Sequence, residues 1–473
     1  MVHNRHRRSF MEKIMQKRGH TRDMTEGSPL KLMLIFMLPI MAGNLLQQFY
    51  SLVDTMVVGR VEGVTALAAV STSGWLDWTV LGVAMGITQG CSILISQYFG
   101  AKNERALKHT VGQSILLAVL TGAFLTVLAQ ILIVPVLKVM NSPEETLPLS
   151  IAYLRVLFMG FPLVMGYNLT AFFLRALGDS RTPLIAMGIA ATLNIVLDIV
   201  FVAYFGMGVK GAALATVIAQ SISFLFNFAA LRKLSFMHPE KGDFKPDGKV
   251  LRQLWKLGFP MAMASAVISI GAMMLQTVTN GYGIVFMAGT SAANRLIGVA
   301  EVAASSLNAA MATYMGQNIG ANRLDRVKTG LRRGAQMGCT LAVIVMVFLM
   351  VFGKDLMRLF VEDDPELVEQ VLKIGYQYLF VMSAFLPSLY LLFVYRSSLQ
   401  GLGETVIPMY SGFVELLMRI VMLALLPRLI GFWGVYFAEV SAWVGAMVLL
   451  MWGYYRHVRR LSEKENAKEE QTA

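Results

Sequence analysis

Apolar residues in this chain come in long blocks, without the two-residue alternation of half-buried strands. A helix crossing roughly 30 Å of hydrocarbon needs about 20 apolar residues. Twelve blocks reach that length. Six lie near 32–57, 66–95, 111–138, 149–174, 183–205 and 212–231, and six near 253–280, 284–314, 333–353, 371–398, 406–429 and 433–455. Period-2 alternation punctuated by turn residues is absent, which argues against a membrane β-barrel. The pattern predicts an all-α integral membrane protein with twelve transmembrane helices.

Composition agrees. Apolar residues make up 56% and charged residues 15% of the 473, against about 45–50% and 25% in soluble domains. Mean hydropathy is +0.59. So few charges cannot cover a soluble surface, and disorder, collagen and a secreted disulfide scaffold are excluded as well. Cys91 and Cys339 sit inside apolar runs without metal-ligand spacing, and read as buried structural thiols. The basic arm from His3 to Arg22 leads into no short apolar region with a cleavage site. The first block is therefore expected to stay as a span.

A net charge of +12 raises nucleic acid as a partner, but the positions of the charges point to the bilayer instead. With both termini cytoplasmic, 30 of the 41 Lys and Arg fall on the inner side and seven outside. Arg155, Arg295, Arg396 and Arg419 fall within spans. The opposite orientation violates the positive-inside rule almost everywhere. The expected organisation is a cytoplasmic arm (1–31), an N-lobe (32–231), a cytoplasmic linker (232–252), a C-lobe (253–456) and a polar cytoplasmic tail (457–473), whose residues after Arg460 read as disordered. The expected location is the cell membrane, as a monomer.

The two halves repeat. Ser96-Gln97-Tyr98-Phe99-Gly100-Ala101 aligns with Gly316-Gln317-Asn318-Ile319-Gly320-Ala321, 220 residues on. Leu177-Gly178-Asp179 aligns with Leu402-Gly403-Glu404 at 225, Pro39 with Pro260 at 221, and Pro162 with Pro387 at 225. Six spans per copy give both halves the same facing, hence an expected pseudo-twofold axis along the membrane normal and a central cleft. Two such lobes suit alternating access.

At this level the sequence resembles a known family. The first span carries Pro39 and then Asn44 to Arg60 (NLLQQFYSLVDTMVVGR). The fifth carries Asn194-Ile195-Val196-Leu197-Asp198, followed by Gly206-Met207-Gly208-Val209-Lys210-Gly211 and Ala212 to Thr216. With the duplicated Gly-Ala and Leu-Gly-Asp/Glu loops, residues 28–456 look like the multidrug and toxic compound extrusion (MATE) family. The resemblance implies export of diverse amphipathic, often cationic, organic compounds driven by H⁺ or Na⁺, with no enzymatic step and no other cofactor. It places the coupling-cation site on Asp54, Asn194, Asp198 and Thr216, with Na⁺ as the metal if one binds. It places Gln47, with Asn44 and Gln48, at the substrate cavity, and a functional kink at Pro39. Trp255–Val278 and Val371–Ser398 hold no acid, so the resemblance puts the cation site in the N-lobe.

The residues support that site on their own chemistry. A carboxylate retained inside the bilayer is a functional candidate by default, because inserting it costs about 2.5–3.5 kcal/mol. Asn194 and Asp198 are four apart and share a helix face. Two carboxylates with an amide and a hydroxyl offer hard oxygen ligands to a small cation. Placed together in low dielectric, the same acids resist double ionisation and hold a proton. Both ions suit the site.

Other intramembrane charges read as structural or unassigned. Glu415 and Arg419, four apart, are expected to neutralise each other. Arg175 and Arg396 are expected to snorkel. Glu301 and Glu439 are candidate C-lobe acids, and Asp77 has no assigned role. Gly82, Gly86 and Gly90 form a small-xxx-small stripe for close packing. No phosphate-binding loop accompanies the spans, and the G-x-G-x-x-G at 206–211 follows no strand. A lipid-linked oligosaccharide or lipid flippase of related architecture is the alternative within transport, although few basic residues lie in the spans. A membrane transferase is the alternative outside it, without a supporting motif.

Overall fold

The computed structural model describes residues 20–140, 142–361 and 364–472. Residues 1–19 of the expected basic arm, with His3 and His6, lie outside the described residues. Those described form helices and connecting turns, with no strand. The first half contains α1 (Pro29–Val61), α2 (Gly63–Gly100), α3 (Glu104–Val139), α4 (Leu147–Met159), α5 (Phe161–Ala176), α6 (Arg181–Asp198) and α7 (Gly208–Arg232). The second contains α8 (Gly248–Asn280), α9 (Ile284–Gly320), α10 (Leu324–Arg358), α11 (Pro365–Ala384), α12 (Leu386–Gly401), α13 (Val406–Ile430) and α14 (Trp433–Thr472).

Among the described residues nine helices are long and apolar enough to cross a bilayer. Two bent pairs, α4 with α5 at 52° and α11 with α12 at 47°, bring the number to eleven. The 25-residue α13 covers the eleventh expected block and completes twelve. The fourth and tenth blocks are thus broken spans. Each resumes with a proline in its first turn, Pro162 or Pro387, where the missing N–H breaks no intrahelical bond.

Backbone punctuation repeats along with the sequence. Left-handed φ values occur at Gly63 and Gly283, at Lys102 and Asn322, at Gly178 and Gly403, and at Gly206 and Gly431. These pairs keep the 220 and 225 offsets of the aligned motifs. In the Leu-Gly-Asp/Glu loop the acid serves the next helix. Asp179 Oδ1 accepts from the Arg181 and Thr182 N–H groups at 3.0 Å each, and Glu404 Oε1 accepts from Val406 N–H at 3.0 Å. Free amides at a helix start favour a carboxylate there.

The chain divides into two compact units. One comprises the described residues to Glu26 with Phe36–Ala262, and the other Gly27–Ile35 with the residues from Met263 onward. In the first unit α2 and the start of α8 approach to backbone contact. A Cβ on Gly86 would lie 2.4 Å from the Ala262 nitrogen, and one on Gly90 2.4 Å from Gly258 Cα. The small-residue stripe is therefore a packing device.

The segment between α7 and α8 packs within the first unit. Phe236 and Met237 are buried in its core, with the Phe236 ring 6.1 Å from that of Phe99. Asp243 is buried against α3. It pairs with His109 Nδ1 at 3.1 Å and Arg105 at 3.1 Å and accepts from Glu240 N–H at 2.8 Å. His109 Nε2 reaches Asp247 at 3.2 Å. Gln113 donates to the Asp243 and Lys245 carbonyls at 2.7 Å each. The polar tail, expected to be disordered, instead continues α14 to Thr472. Glu, Lys and Ala are strong helix formers, and Arg459 bonds Glu463 one turn on at 3.0 Å.

Burial alone would raise the Asp243 carboxyl. The Glu240 amide, His109 and Arg105 outweigh it and hold the group below the usual aspartate range. A lowered native value stabilises the folded form above the unfolded value of about 3.9, and that gain is lost as pH falls through the native value. Asp243→Asn should therefore lower the Tm at neutral pH and speed tryptic cleavage after Lys241 and Lys249 by about tenfold. The Tm gap between the variant and the parent should close below pH 3.9. Thermal scans across pH, with timed proteolysis, check both outcomes.

Candidate functional site

Three of the four expected cation-site residues sit in the described interior of the first unit, and the fourth touches them. Asp54 on α1 is 9% exposed, Asn194 on α6 1% and Asp198 at its last position 0%. Asn194 Nδ2 donates to Thr216 Oγ1 on α7 at 3.4 Å, and that hydroxyl bonds back to Ala212 O at 3.2 Å. Asp54 and Asp198 are direct neighbours. The i, i+4 spacing thus does what helical geometry requires: it turns Asn194 and Asp198 to one side, where α1 and α7 bring the other two.

The unmet hydrogen-bonding capacity of the site is informative. Asp54 Oδ1, Asn194 Oδ1 and both oxygens of Asp198 are buried with no hydrogen-bond partner among the described residues. Buried polar atoms are nearly always satisfied, so orphans converging in one place call for an explanation. All four are oxygens, a donor set matching a hard cation or a proton. Among the described residues, neither Asp54 nor Asp198 takes part in an ion pair with Lys, Arg or His.

Directly after Asp198 the helix widens into a π turn, Ile199–Tyr204. Phe205 N–H bonds back five residues to Val200 O at 2.9 Å. Such turns recur at functional sites, and apolar periodicity did not signal this one. Sequence reasoning also missed the residues around the acids. Tyr50, one turn before Asp54, lies among Tyr167, Gln220 and Asp77. Tyr153 is buried within electrostatic reach of Asp54, Asp77 and Asp198. Gln220 Oε1 is a further buried oxygen without a partner among the described residues. The available signal was polar and phenolic residues on spans otherwise built from aliphatics.

The expected cavity residues are partly open. Gln47 and Gln48 are exposed and Asn44 is half-buried on α1. Pro39 lies inside α1, whose helical run continues through it.

The second unit handles its acids differently, and here two expectations are corrected. Arg396 does not snorkel. It bonds Glu415, and Ser411 Oγ at 3.1 Å. Arg419 is not chiefly the partner of Glu415, which lies 3.8 Å away. It grips both oxygens of Glu439 at 2.7 Å, and Trp443 Nε1 adds a bond to Glu439 at 3.0 Å. A guanidinium favours a carboxylate that it can meet with two parallel N–H groups, and α14 presents one. Glu301, exposed on α9, stands near Glu439, Arg419 and Glu415.

Twelve helical spans in a duplicated, bent-span arrangement define a multi-pass membrane protein, and comparison with known proteins specifies its kind. The family model MatE matches residues 39–200 and 260–425. The chain is 32% identical over 355 residues to the probable multidrug resistance protein YoeA of Bacillus subtilis, covering 73% of this chain and 77% of that one. It is 32% identical over 433 residues to the probable multidrug resistance protein YpnP of the same organism, covering 89% and 91%. A solved MOP superfamily transporter from Pyrococcus furiosus has the same fold, with TM-score 0.86 and 24% identity over 93% of this chain and 98% of that one. The chain belongs to the MATE family.

Removing one partner from a buried ion pair leaves an uncompensated charge and costs about 3–5 kcal/mol, whereas apolar replacement of both partners is often neutral. Arg419→Met and Glu439→Gln should each lower thermal stability sharply in detergent. The double variant R419M/E439M should recover most of the loss, as differential scanning fluorimetry would record.

Proposed function

We propose that this chain is a secondary antiporter that exports amphipathic, cationic organic compounds in exchange for H⁺ or Na⁺ by alternating access. The observation that carries the reading is the set of unpaired buried oxygens on Asp54, Asn194 and Asp198. Two carboxylates without a basic partner among the described residues are stable in an apolar interior only when a proton or cation from outside neutralises them. Asp54 and Asp198 would hold that charge, with Asn194 and Thr216 orienting them. A cationic passenger competes with the coupling ion for the same negative charge, and that competition makes exchange obligatory. The relatives' names, multidrug resistance proteins, support the substrate class. Exposed Gln47 and Gln48, with Asn44, suit polar contacts to such a compound.

Proteoliposomes carrying an imposed Na⁺ or H⁺ gradient and a fluorescent organic cation test this directly. Substrate movement should follow one of the two gradients, and Asp54→Asn and Asp198→Asn should each reduce it at least about a hundredfold. Undiminished movement in both variants, with normal insertion, refutes the site.

The charge distribution supports a cell-membrane orientation with both termini cytoplasmic. In intact cells an impermeant maleimide should label Glu144→Cys and leave Lys233→Cys unlabelled until lysis. The reverse pattern would invert the orientation.

A further inference from the structure

The structure points to a second kind of ligand: we propose that a groove on the first unit binds an anionic phospholipid. A cavity of about 560 Å³ lies among α3, α5, α7 and the connecting segment after α7. That volume is in the range of small-molecule pockets, about 300–1,000 Å³. Its walls are hydrocarbon and aromatic, including Ile115, Leu169, Phe173, Phe224 and Phe228. The one hydroxyl in the wall, Thr170 Oγ1, is already bonded to Gly166 O at 2.8 Å and Tyr167 O at 3.0 Å. Nothing along the walls asks for a polar ligand. Val119 and Phe228 are 64% and 43% exposed on membrane-spanning helices, so the groove opens toward lipid.

At one end the character changes. Arg232, the last residue of α7, lines the cavity, is exposed, and forms no ion pair among the described residues. His238 lines it too, with Nε2 held 2.6 Å from the Arg232 carbonyl. A carbonyl only accepts, so Nε2 carries a hydrogen and Nδ1 faces away from that bond. A basic end on an apolar groove matches a lipid with a phosphodiester head and acyl tail. An organic cation is repelled by Arg232, and a free anion gains nothing from the walls. Placing this end at the inner leaflet rests on the orientation proposed above. The binding itself does not depend on that orientation or on transport.

The test uses the full chain in uncharged detergent, titrated with dioleoyl phosphatidylglycerol or dioleoyl phosphatidylcholine and followed by thermal shift. Phosphatidylglycerol should bind about fivefold more tightly than phosphatidylcholine, the preference expected of one basic residue at an anionic head. Arg232→Gln should erase the preference. Ala123→Phe, at an exposed position lining the groove, should weaken both lipids. Lys233→Gln, adjacent but outside the groove, should change neither. Equal binding of the two lipids, or an equal loss in Lys233→Gln, overturns the proposal, as does an equal shift from sn-glycerol 3-phosphate alone. Should a variant fail to fold, native mass spectrometry of the parent protein under competition decides: retained phosphatidylglycerol supports the site, and indifference refutes it.

Discussion

An ionised carboxylate in an apolar interior must be neutralised, and this requirement orders the rest of the molecule. Transfer from water costs several kcal/mol unless a partner charge or a proton compensates. The second unit meets the requirement internally, through Arg396 on Glu415 and Arg419 on Glu439. In the first unit Asp54 and Asp198 have no such partner among the described residues, and Asp54 Oδ1 and both Asp198 oxygens remain unbonded there. Under the function proposed above, the compensating charge there comes from solution. A group whose neutrality depends on a borrowed ion changes state whenever that ion leaves, which is what coupling to a gradient demands.

Much of this was legible in the chain. The twelve spans follow from the length of the apolar blocks, and the repeat follows from aligned loops whose φ values match at Gly178 and Gly403 or Lys102 and Asn322. Asn194 and Asp198 converge because helical spacing alone fixes their common face. Partner choice across helices was not legible. The i, i+4 spacing of Glu415 and Arg419 looked sufficient, yet Arg419 lies closer to Glu439 on the next helix. That preference is set by how α13 and α14 pack, which no local pattern encodes. The π turn after Asp198 escaped for a related reason, since a widened turn preserves an apolar run. The tail's low hydropathy suggests disorder, yet its Glu, Lys and Ala residues favour the helix that forms.

The connecting segment shows how a polar stretch becomes part of a fold. Its backbone carbonyls at Asp243 and Lys245 are taken up by Gln113, and its buried carboxylate by His109 and Arg105. Phe236 and Met237 anchor its other end. The segment is therefore a wall of the first unit, and it also closes one side of the apolar groove.

Because the loops of both copies obey one backbone grammar while their interiors differ, the duplication separated scaffold from charge. Turns such as those at Gly206 and Gly431 are held in common. With the frame shared, one half ties Glu415 and Glu439 to arginine, whereas the other leaves Asp54 and Asp198 without a basic partner among the described residues. A single ancestral plan thus carries two different treatments of buried charge.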